Sequence, residues 1–98
     1  MRNYNFYVYI LTNPAKSTLY IGVTNNLEIR ISQHKENRGK FKTFAGRYYC
    51  YKLVYYEHFT NINNAIAREK QLKRWSRKKK NTLIERKNPK WHFFNDNI

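Results

Sequence analysis

The stretch that decides the fold is residues 18–23, Thr-Leu-Tyr-Ile-Gly-Val. In a β-strand, successive side chains point to opposite faces. The three aliphatic residues of this stretch therefore share one face, and Tyr20 and Gly22 share the other. A similar run at residues 6–11, Phe-Tyr-Val-Tyr-Ile-Leu, also sets an aliphatic face against a tyrosine face.

The link between these two strands contains Asn13-Pro14 and is short enough for a hairpin. Antiparallel pairing allows Tyr9 and Tyr20 to lie side by side on one face. Two phenols beside Gly22 are unusual for a plain core and indicate a site.

Composition favours a polyanionic partner. The chain has 98 residues and a formal charge of +14, from 20 Lys and Arg against 6 Asp and Glu. This surplus indicates nucleic acid first and an anionic membrane second. The length predicts one domain over residues 1–98, and the 41% apolar content is sufficient for a folded core.

Cysteine content and hydropathy bear on location. Cys50 is the single cysteine, so no disulfide framework and no cysteine-based zinc site is expected. No apolar run approaches the roughly 20 residues of a membrane span, and no hydrophobic signal region is recognised. We therefore expect a cytoplasmic protein that does not bind membranes, as a monomer or weak dimer.

A first helix is predicted over about residues 27–36, with Asn25 as its N-cap. A period of about 100° per residue places Arg30 and His34 on the face that also carries the apolar residues. A charged group there needs a partner or lines a cleft. The alternative is an arginine whose alkyl stem lies at the edge of the core.

Residues 37–47 are predicted to form a loop that mixes four cations with two phenylalanines. These aromatics either stack on bases or anchor the loop to the core, and both interpretations stay open. A third strand is predicted at about residues 51–57. Its poor alternation indicates a strand covered on both faces.

A second helix is predicted over residues 61–75, capped at Thr60 or Asn61. Glu69 falls in the middle of its apolar stripe, where a carboxylate needs a cation beside it. That cation is either Arg30, in a structural salt bridge, or a metal ion.

A third helix is predicted from Arg77 to Arg86 or Lys87, capped by Ser76 and ended by Asn88-Pro89. Its first turn is cationic at the positive end of the helix dipole, which costs a few tenths of a kcal/mol for each exposed charge. An external polyanion explains these cations better than stability does. The candidate nucleic-acid-binding residues are Lys73, Arg74, Arg77, Lys78, Lys79 and Lys80.

The residues assembled so far resemble the GIY-YIG nuclease superfamily, specifically its small stand-alone single-domain bacterial branch. The signature corresponds to Tyr7-Val8-Tyr9 and Tyr20-Ile21-Gly22, with Tyr7 in place of the family glycine. The similarity extends over about residues 6–91. Further matches are Arg30, His34, Glu69 and the segment Trp75-Ser76-Arg77. The family asparagine corresponds to either Asn81 or Asn88.

The resemblance implies an α/β (α+β) fold with a three-stranded, at least partly antiparallel sheet flanked by two or three helices. It also implies that Glu69 holds one divalent ion, Mg²⁺ or Mn²⁺, and that Tyr9, or else Tyr20, helps take a proton from water. Arg30 is expected to lower the pKa of that phenol and to bind a phosphate oxygen. His34 is expected to bind a phosphate or assist proton transfer.

Two function classes follow. The first is a metal-dependent endonuclease that hydrolyses phosphodiester bonds in DNA, rather than RNA, including structured or repair intermediates. The second is a non-catalytic nucleic-acid-binding module on the same fold. The sequence contains no feature that recognises a particular base sequence.

Overall fold

The computed structural model describes residues 4–98. Its strands are β1 (Phe6–Thr12), β2 (Leu19–Thr24) and β3 (Lys52–Phe59). Its helices are α1 (Leu27–Glu36), α2 (Phe44–Arg47), α3 (Ile62–Arg74) and α4 (Arg77–Lys87). The strands form one antiparallel sheet in the order β2-β1-β3. The predicted α+β class and sheet are confirmed, and α2 adds a fourth helix.

The sheet has a hydrophobic cluster on each face, because the side chains of the central strand β1 alternate. Val8 and Ile10 belong to the cluster that β1 shares with α3 and α4. Tyr9 and Leu11 belong to the cluster that it shares with α1 and α2. All four side chains are fully buried. Burying one such aliphatic side chain contributes about 1.5–3 kcal/mol, so β1 holds the two layers together.

A β-bulge explains why the third strand does not alternate. Ile10 pairs with Tyr55, whereas the next residue, Leu11, pairs with Leu53. Val54 is therefore the extra residue on β3. As a result, the consecutive residues Val54 and Tyr55 both join the α3 and α4 cluster, and Leu53 joins the other.

The helix caps agree with the sequence in two of the three cases that it predicted. Asn61 caps α3 and Ser76 caps α4, as predicted. The cap of α1 is Asn26 and not Asn25, because the Asn26 side chain accepts from the Ile29 backbone N–H at 3.0 Å. The predicted loop contains the four-residue helix α2, which Thr43 caps.

The C-terminal segment is fastened to both clusters. Trp91 and Phe93 pack against one cluster and Phe94 against the other. Asn95 accepts from Leu53 N–H and donates to the Tyr51 carbonyl, both at 2.8 Å. These bonds cover part of the free edge of β3. No helix described over residues 4–98 is long and apolar enough to span a membrane.

Candidate active site

Tyr9 is the centre of the site, and Gly22 makes room for it. The two residues are cross-strand partners in β1 and β2, and Tyr9 is fully buried. A Cβ atom on Gly22 would lie 2.5 Å from the Tyr9 hydroxyl oxygen and 2.6 Å from its Cζ. Any larger residue than glycine would therefore displace the tyrosine ring.

The Tyr9 hydroxyl lies between two groups from α1. It is 2.9 Å from His34 Nε2, and Arg30 Nε donates to it at 3.4 Å. The Tyr20 ring lies beside the rings of Tyr9 and His34. Its centroid is 6.3 Å from that of Tyr9 and 5.3 Å from that of His34. Since Arg30 and His34 are one helical turn apart, α1 brings them to the two phenols of the sheet. The structure thus brings together these four predicted residues.

Burial dominates the protonation of this cluster. It raises the pKa of Tyr9 to about 12; the hydrogen bond from Arg30 lowers the pKa, and the charges of Tyr20 and Glu69 raise it. Burial and then the Arg30 charge lower the pKa of His34 to about 4. Arg30 lowers the pKa of the phenol as expected, but burial raises it by more, so the net pKa lies above the ordinary value of a tyrosine. At neutral pH the phenol is protonated and the imidazole is neutral.

Glu69 lies on α3, near this cluster but not bonded to it. Its charge acts on the pKa of Tyr9, yet across residues 4–98 it forms no hydrogen bond with the four residues above. Its side chain is 17% exposed and lies 3.6 Å from Lys73 Nζ. Arg30 instead donates to Gln33 at 3.1 Å and to Tyr9. The Glu69–Arg30 salt bridge, the structural alternative from the sequence, is therefore not formed.

The site thus combines two phenols, an arginine and a histidine, with a carboxylate nearby. The family model for the GIY-YIG catalytic domain matches residues 5–82. The chain belongs to the GIY-YIG family. Membership indicates the nuclease class in general and implies a nucleic-acid substrate.

Small GIY-YIG relatives are similar over most of the chain. A UPF0213 protein of Bacillus pumilus is 38% identical over 85 residues, covering 87% of this chain and 84% of the relative. A UPF0213 protein of Clostridium perfringens is 45% identical over 84 residues, covering 86% and 87%. The solution NMR structure of a UPF0213 protein from Bacillus halodurans aligns with a TM-score of 0.55 and 31% identity over 89% of both chains. The predicted small GIY-YIG branch is confirmed.

The first half of the GIY-YIG signature has Tyr7 where the family has glycine. The Tyr7 ring lies between β1 and β3, with centroids 5.3 Å from His58 and 6.3 Å from Tyr56. Tyr7 also packs against the cluster that contains Tyr9. The hydrogen bonds of the Tyr9 hydroxyl are made with His34 and Arg30 and not with Tyr7.

The donor set suits a magnesium-type ion held by a single carboxylate. No three His, Cys, Asp or Glu side chains gather anywhere between residues 4 and 98. Glu69 is partly open to solvent, and its cation partner Lys73 is about half exposed. Mg²⁺ is commonly bound through one or two carboxylates, with water and phosphate oxygens as the other ligands. The residues present fit such an ion at Glu69.

The basic residues of α3 and α4 have different surroundings. The Arg77 guanidinium donates to the Ser17 and Lys16 carbonyls at 2.8 and 3.1 Å and to Asn81 at 2.9 Å. Arg77 therefore contributes to the stability of the fold, contrary to the sequence interpretation, because its guanidinium links α4 to the β1–β2 connection. Lys79 Nζ lies 4.2 Å from the centre of the Trp75 ring.

The remaining candidate cations lie closer to solvent. Arg74 and Lys78 are exposed, and Lys80 is half-buried. Lys73 is half exposed and pairs with Glu69. The structure thus leaves Arg74 and Lys78 most accessible to a polyanion.

The two candidate asparagines also differ. Asn88 is buried, and its amide donates to the Val54 and His92 carbonyls at 2.9 Å. Its oxygen accepts from His92 N–H at 2.9 Å. Asn88 is thus committed to joining α4, β3 and the C-terminal segment. Asn81 is half-buried and bonded to Arg77, which leaves it as the candidate for the family position.

Two features of the site were missed by the sequence analysis. Gln33 orients Arg30, and its i,i+3 spacing on α1 is a signal that could have found it. A groove of about 680 Å³ adjoins the site. Arg30, Gln33 and Asn26 line it together with apolar residues of the sheet and Ile62 of α3. No sequence pattern marks this groove, because its walls come from four separate elements.

Proposed function

We propose that this protein is a metal-dependent endonuclease that hydrolyses phosphodiester bonds in DNA. One observation carries the proposal: the Tyr9 hydroxyl is held over Gly22, between His34 Nε2 and Arg30 Nε. A buried, doubly oriented hydroxyl beside an exposed arginine is an arrangement for handling a proton next to a phosphate. The proposed catalytic residues are Tyr9, Tyr20, Arg30 and His34, with Glu69 as metal ligand.

The pKa values favour a proton relay over a free phenolate. With a pKa of about 12, forming the Tyr9 phenolate at pH 7 costs about 7 kcal/mol, at about 1.4 kcal/mol per unit. Neutral His34 offers Nε2 as an acceptor 2.9 Å away. We propose that Tyr9 accepts a proton from the attacking water while its own proton passes to His34. The phenol oxygen then never carries a full negative charge.

Arg30 and the bound phosphate complete this relay. Arg30 keeps a permanent charge beside Tyr9 and lines the open groove, so its guanidinium can also bind a non-bridging phosphate oxygen. The negative phosphate offsets the Arg30 charge that lowers the pKa of His34, which makes the imidazole a better acceptor in the complex. When bound at Glu69, a divalent ion would supply Lewis-acid stabilisation of the leaving oxygen.

The surface supports a nucleic-acid substrate of low sequence specificity. The formal charge of +14 favours contacts with phosphates. Exposed Arg74 and Lys78 are the proposed phosphate contacts outside the site, with Lys73 and Lys80 less accessible. We also propose a single catalytic domain, DNA rather than RNA as substrate, including structured or repair intermediates, and a cytoplasmic monomer or weak dimer.

The test is a cleavage assay on plasmid, branched DNA and RNA, with Mg²⁺, with Mn²⁺ and with EDTA. The proposal expects cleavage of DNA with either metal and none with EDTA. Glu69→Gln should abolish cleavage while affinity for DNA in EDTA stays within about twofold, because shape and phosphate contacts are retained. Absence of cleavage by the wild-type protein on every substrate with both metals would overturn the proposal.

A second candidate function is a non-catalytic nucleic-acid-binding module. One observation favours it: the raised pKa of Tyr9 makes its basic form, the phenolate, scarcer at neutral pH than that of an exposed tyrosine. This function expects salt-sensitive DNA binding that needs no metal, and no turnover. The same assay separates the two candidates.

A further inference from the structure

Four aromatic side chains in the segment between α1 and β3 are exposed on the surface. The exposed fraction is 74% for Phe41, 52% for Phe44, 45% for Tyr48 and 51% for Tyr49. These four residues are called the aromatic patch. The Phe44 and Tyr48 rings lie 4.7 Å apart between centroids. Exposed apolar surface such as that of the adjacent Phe44 and Tyr48 rings marks an interaction site more often than a single exposed ring does.

Small residues, not the aromatics, anchor this segment. Ala45, Gly46 and Cys50 are buried. A Cβ on Gly46 would lie 2.5 and 2.7 Å from the carbonyl oxygens of Lys40 and Asn37, so the chain is packed closely there. The alternative in which the two phenylalanines of this loop anchor it to the core is therefore wrong. The rings face solvent because the core contacts are made by residues with little or no side chain.

The patch is surrounded by positive charge. The segment carries Arg38, Lys40, Lys42 and Arg47, and residues 37–56 contain no Asp or Glu. The Arg47 guanidinium carbon lies 5.9 Å from the centre of the Phe41 ring, so cation and aromatic face are presented together. Exposed rings among cations match a chain of planar bases joined by phosphates.

The patch and the candidate active site share one layer of the protein. Ala45, which follows Phe44 in the sequence, packs in the same cluster as Tyr9, and Tyr20 packs against that cluster. Cys50 Sγ contacts the Thr18 carbonyl, just before β2, at 3.7 Å. The segment that carries the patch is thus fixed beside the strand that carries Tyr20.

We infer that the aromatic patch binds unpaired bases of a single-stranded DNA segment next to the phosphate that is cut. The inference rests on the proposed function and narrows its substrate class to DNA with a single-stranded part, such as a branch or flap. In a regular duplex the base faces are covered by their neighbours, so flat exposed rings have little to stack on. In a single strand each base offers a free face, and the four cations can contact its phosphates.

The experiment measures affinity in EDTA for a fluorescent single-stranded oligonucleotide and for a blunt duplex of the same sequence and length. The variant F41L/F44L keeps apolar side chains and every cation but removes two aromatic faces. Single-strand affinity should fall about fivefold or more, since stacking contributes at least about 1 kcal/mol per base. Duplex affinity should change less than about twofold. The matched control is Tyr4→Leu, which removes an aromatic 55% exposed outside the patch and should change neither affinity.

Equal loss for both DNA forms, or no loss for the single strand, would overturn the inference. Photocrosslinking of the wild-type protein to an oligonucleotide containing 5-iododeoxyuridine gives a second readout that needs no variant. Crosslinks should map to residues 41–49, and crosslinks only to other segments would contradict the inference. A metal-dependent nuclease whose single-strand affinity ignores F41L/F44L would retain the proposed function and lose only the patch. Single-strand binding that depends on the patch, with no cleavage by the wild-type protein, would retain the patch and overturn the proposed function.

Discussion

Gly22→Ala should damage the site through a single added methyl group. Its Cβ would lie 2.5 Å from the Tyr9 hydroxyl oxygen and 2.6 Å from Cζ. Ordinary van der Waals contact begins at 3.4 Å, so the ring must move by roughly 0.9 Å. Tyr9 has no free space in which to move, because it is fully buried on the central strand. The hydroxyl can then no longer keep both of its partners, His34 and Arg30.

The stability cost combines two effects. Overpacking a core typically costs about 1–3 kcal/mol, and a lost hydrogen bond about 0.5–1.5 kcal/mol. Gly22→Ala should therefore lower the free energy of unfolding by about 1.5–4.5 kcal/mol, measured by urea denaturation. A misplacement of about 1 Å at a reacting group can reduce a rate about 100-fold. Single-turnover DNA cleavage with Mg²⁺ should show a loss of that order.

Tyr9→Phe is the matched comparison, because it removes the hydroxyl without crowding the strand. It should match Gly22→Ala in its effect on cleavage but lower stability by only about 1 kcal/mol. Wild-type stability and cleavage in Gly22→Ala would refute the steric reasoning. The refutation would be complete if Gly22→Ala also kept the imidazole titration of His34 unchanged by NMR.

Three further predictions concern charge and pH. His34 should titrate by NMR with a pKa near 4. This pKa lies below that of histidine in the unfolded chain, about 6.5. The contribution of neutral His34 to stability is therefore complete above about pH 6.5 and is lost as the pH falls towards 4. His34→Gln should therefore flatten the pH dependence of the urea midpoint in that window, and an unchanged profile would contradict the low pKa. Arg77→Ala should lower the melting temperature by several degrees, since Arg77 ties α4 to the β1–β2 connection. Lys78→Ala, at the neighbouring position, should leave the melting temperature unchanged. It should reduce the slope of log affinity against log salt by up to about one unit. The same change in melting temperature and in salt slope for both variants would contradict the different roles of Arg77 and Lys78. Arg68→Ala should cost about 1–3 kcal/mol in denaturation, because Glu57, which also accepts from Tyr55, loses its bidentate partner; a neutral result would show that water replaces the pair.

Most of the fold could be predicted because period and capping are local signals. The bounds of α1 and the Ser76 cap of α4 follow from residues within one turn of each other. The bulge at Val54 depends on pairing with β1, so a strand examined alone shows only its broken alternation. The role of Asn95 at the edge of β3 was equally hidden, since its partners lie more than 40 residues away.

The site was predictable as a set of residues but not in its energetics. Alternation and helical spacing brought Tyr9, Tyr20, Arg30 and His34 together. The raised pKa of Tyr9 comes mainly from burial, which depends on the whole fold. The sequence also left open whether Phe41 anchors its loop or stacks on bases, because that too depends on burial in the whole fold. Burial of Ala45 and Gly46, which decides it, is invisible in a segment rich in cations and aromatics.

The most direct test of the central claim is the single-turnover cleavage rate of Tyr9→Phe with Mg²⁺, beside its DNA affinity in EDTA. The account predicts a rate at least about 100-fold below wild type, because a positioned proton-transfer group typically contributes 10²–10⁴-fold. Affinity should stay within about twofold, since the phenylalanine ring keeps the packing and the proposed phosphate contacts Arg30, Arg74 and Lys78 are all retained. A variant that cleaves DNA at close to the wild-type rate would show that Tyr9 does not handle the proton and would contradict the account.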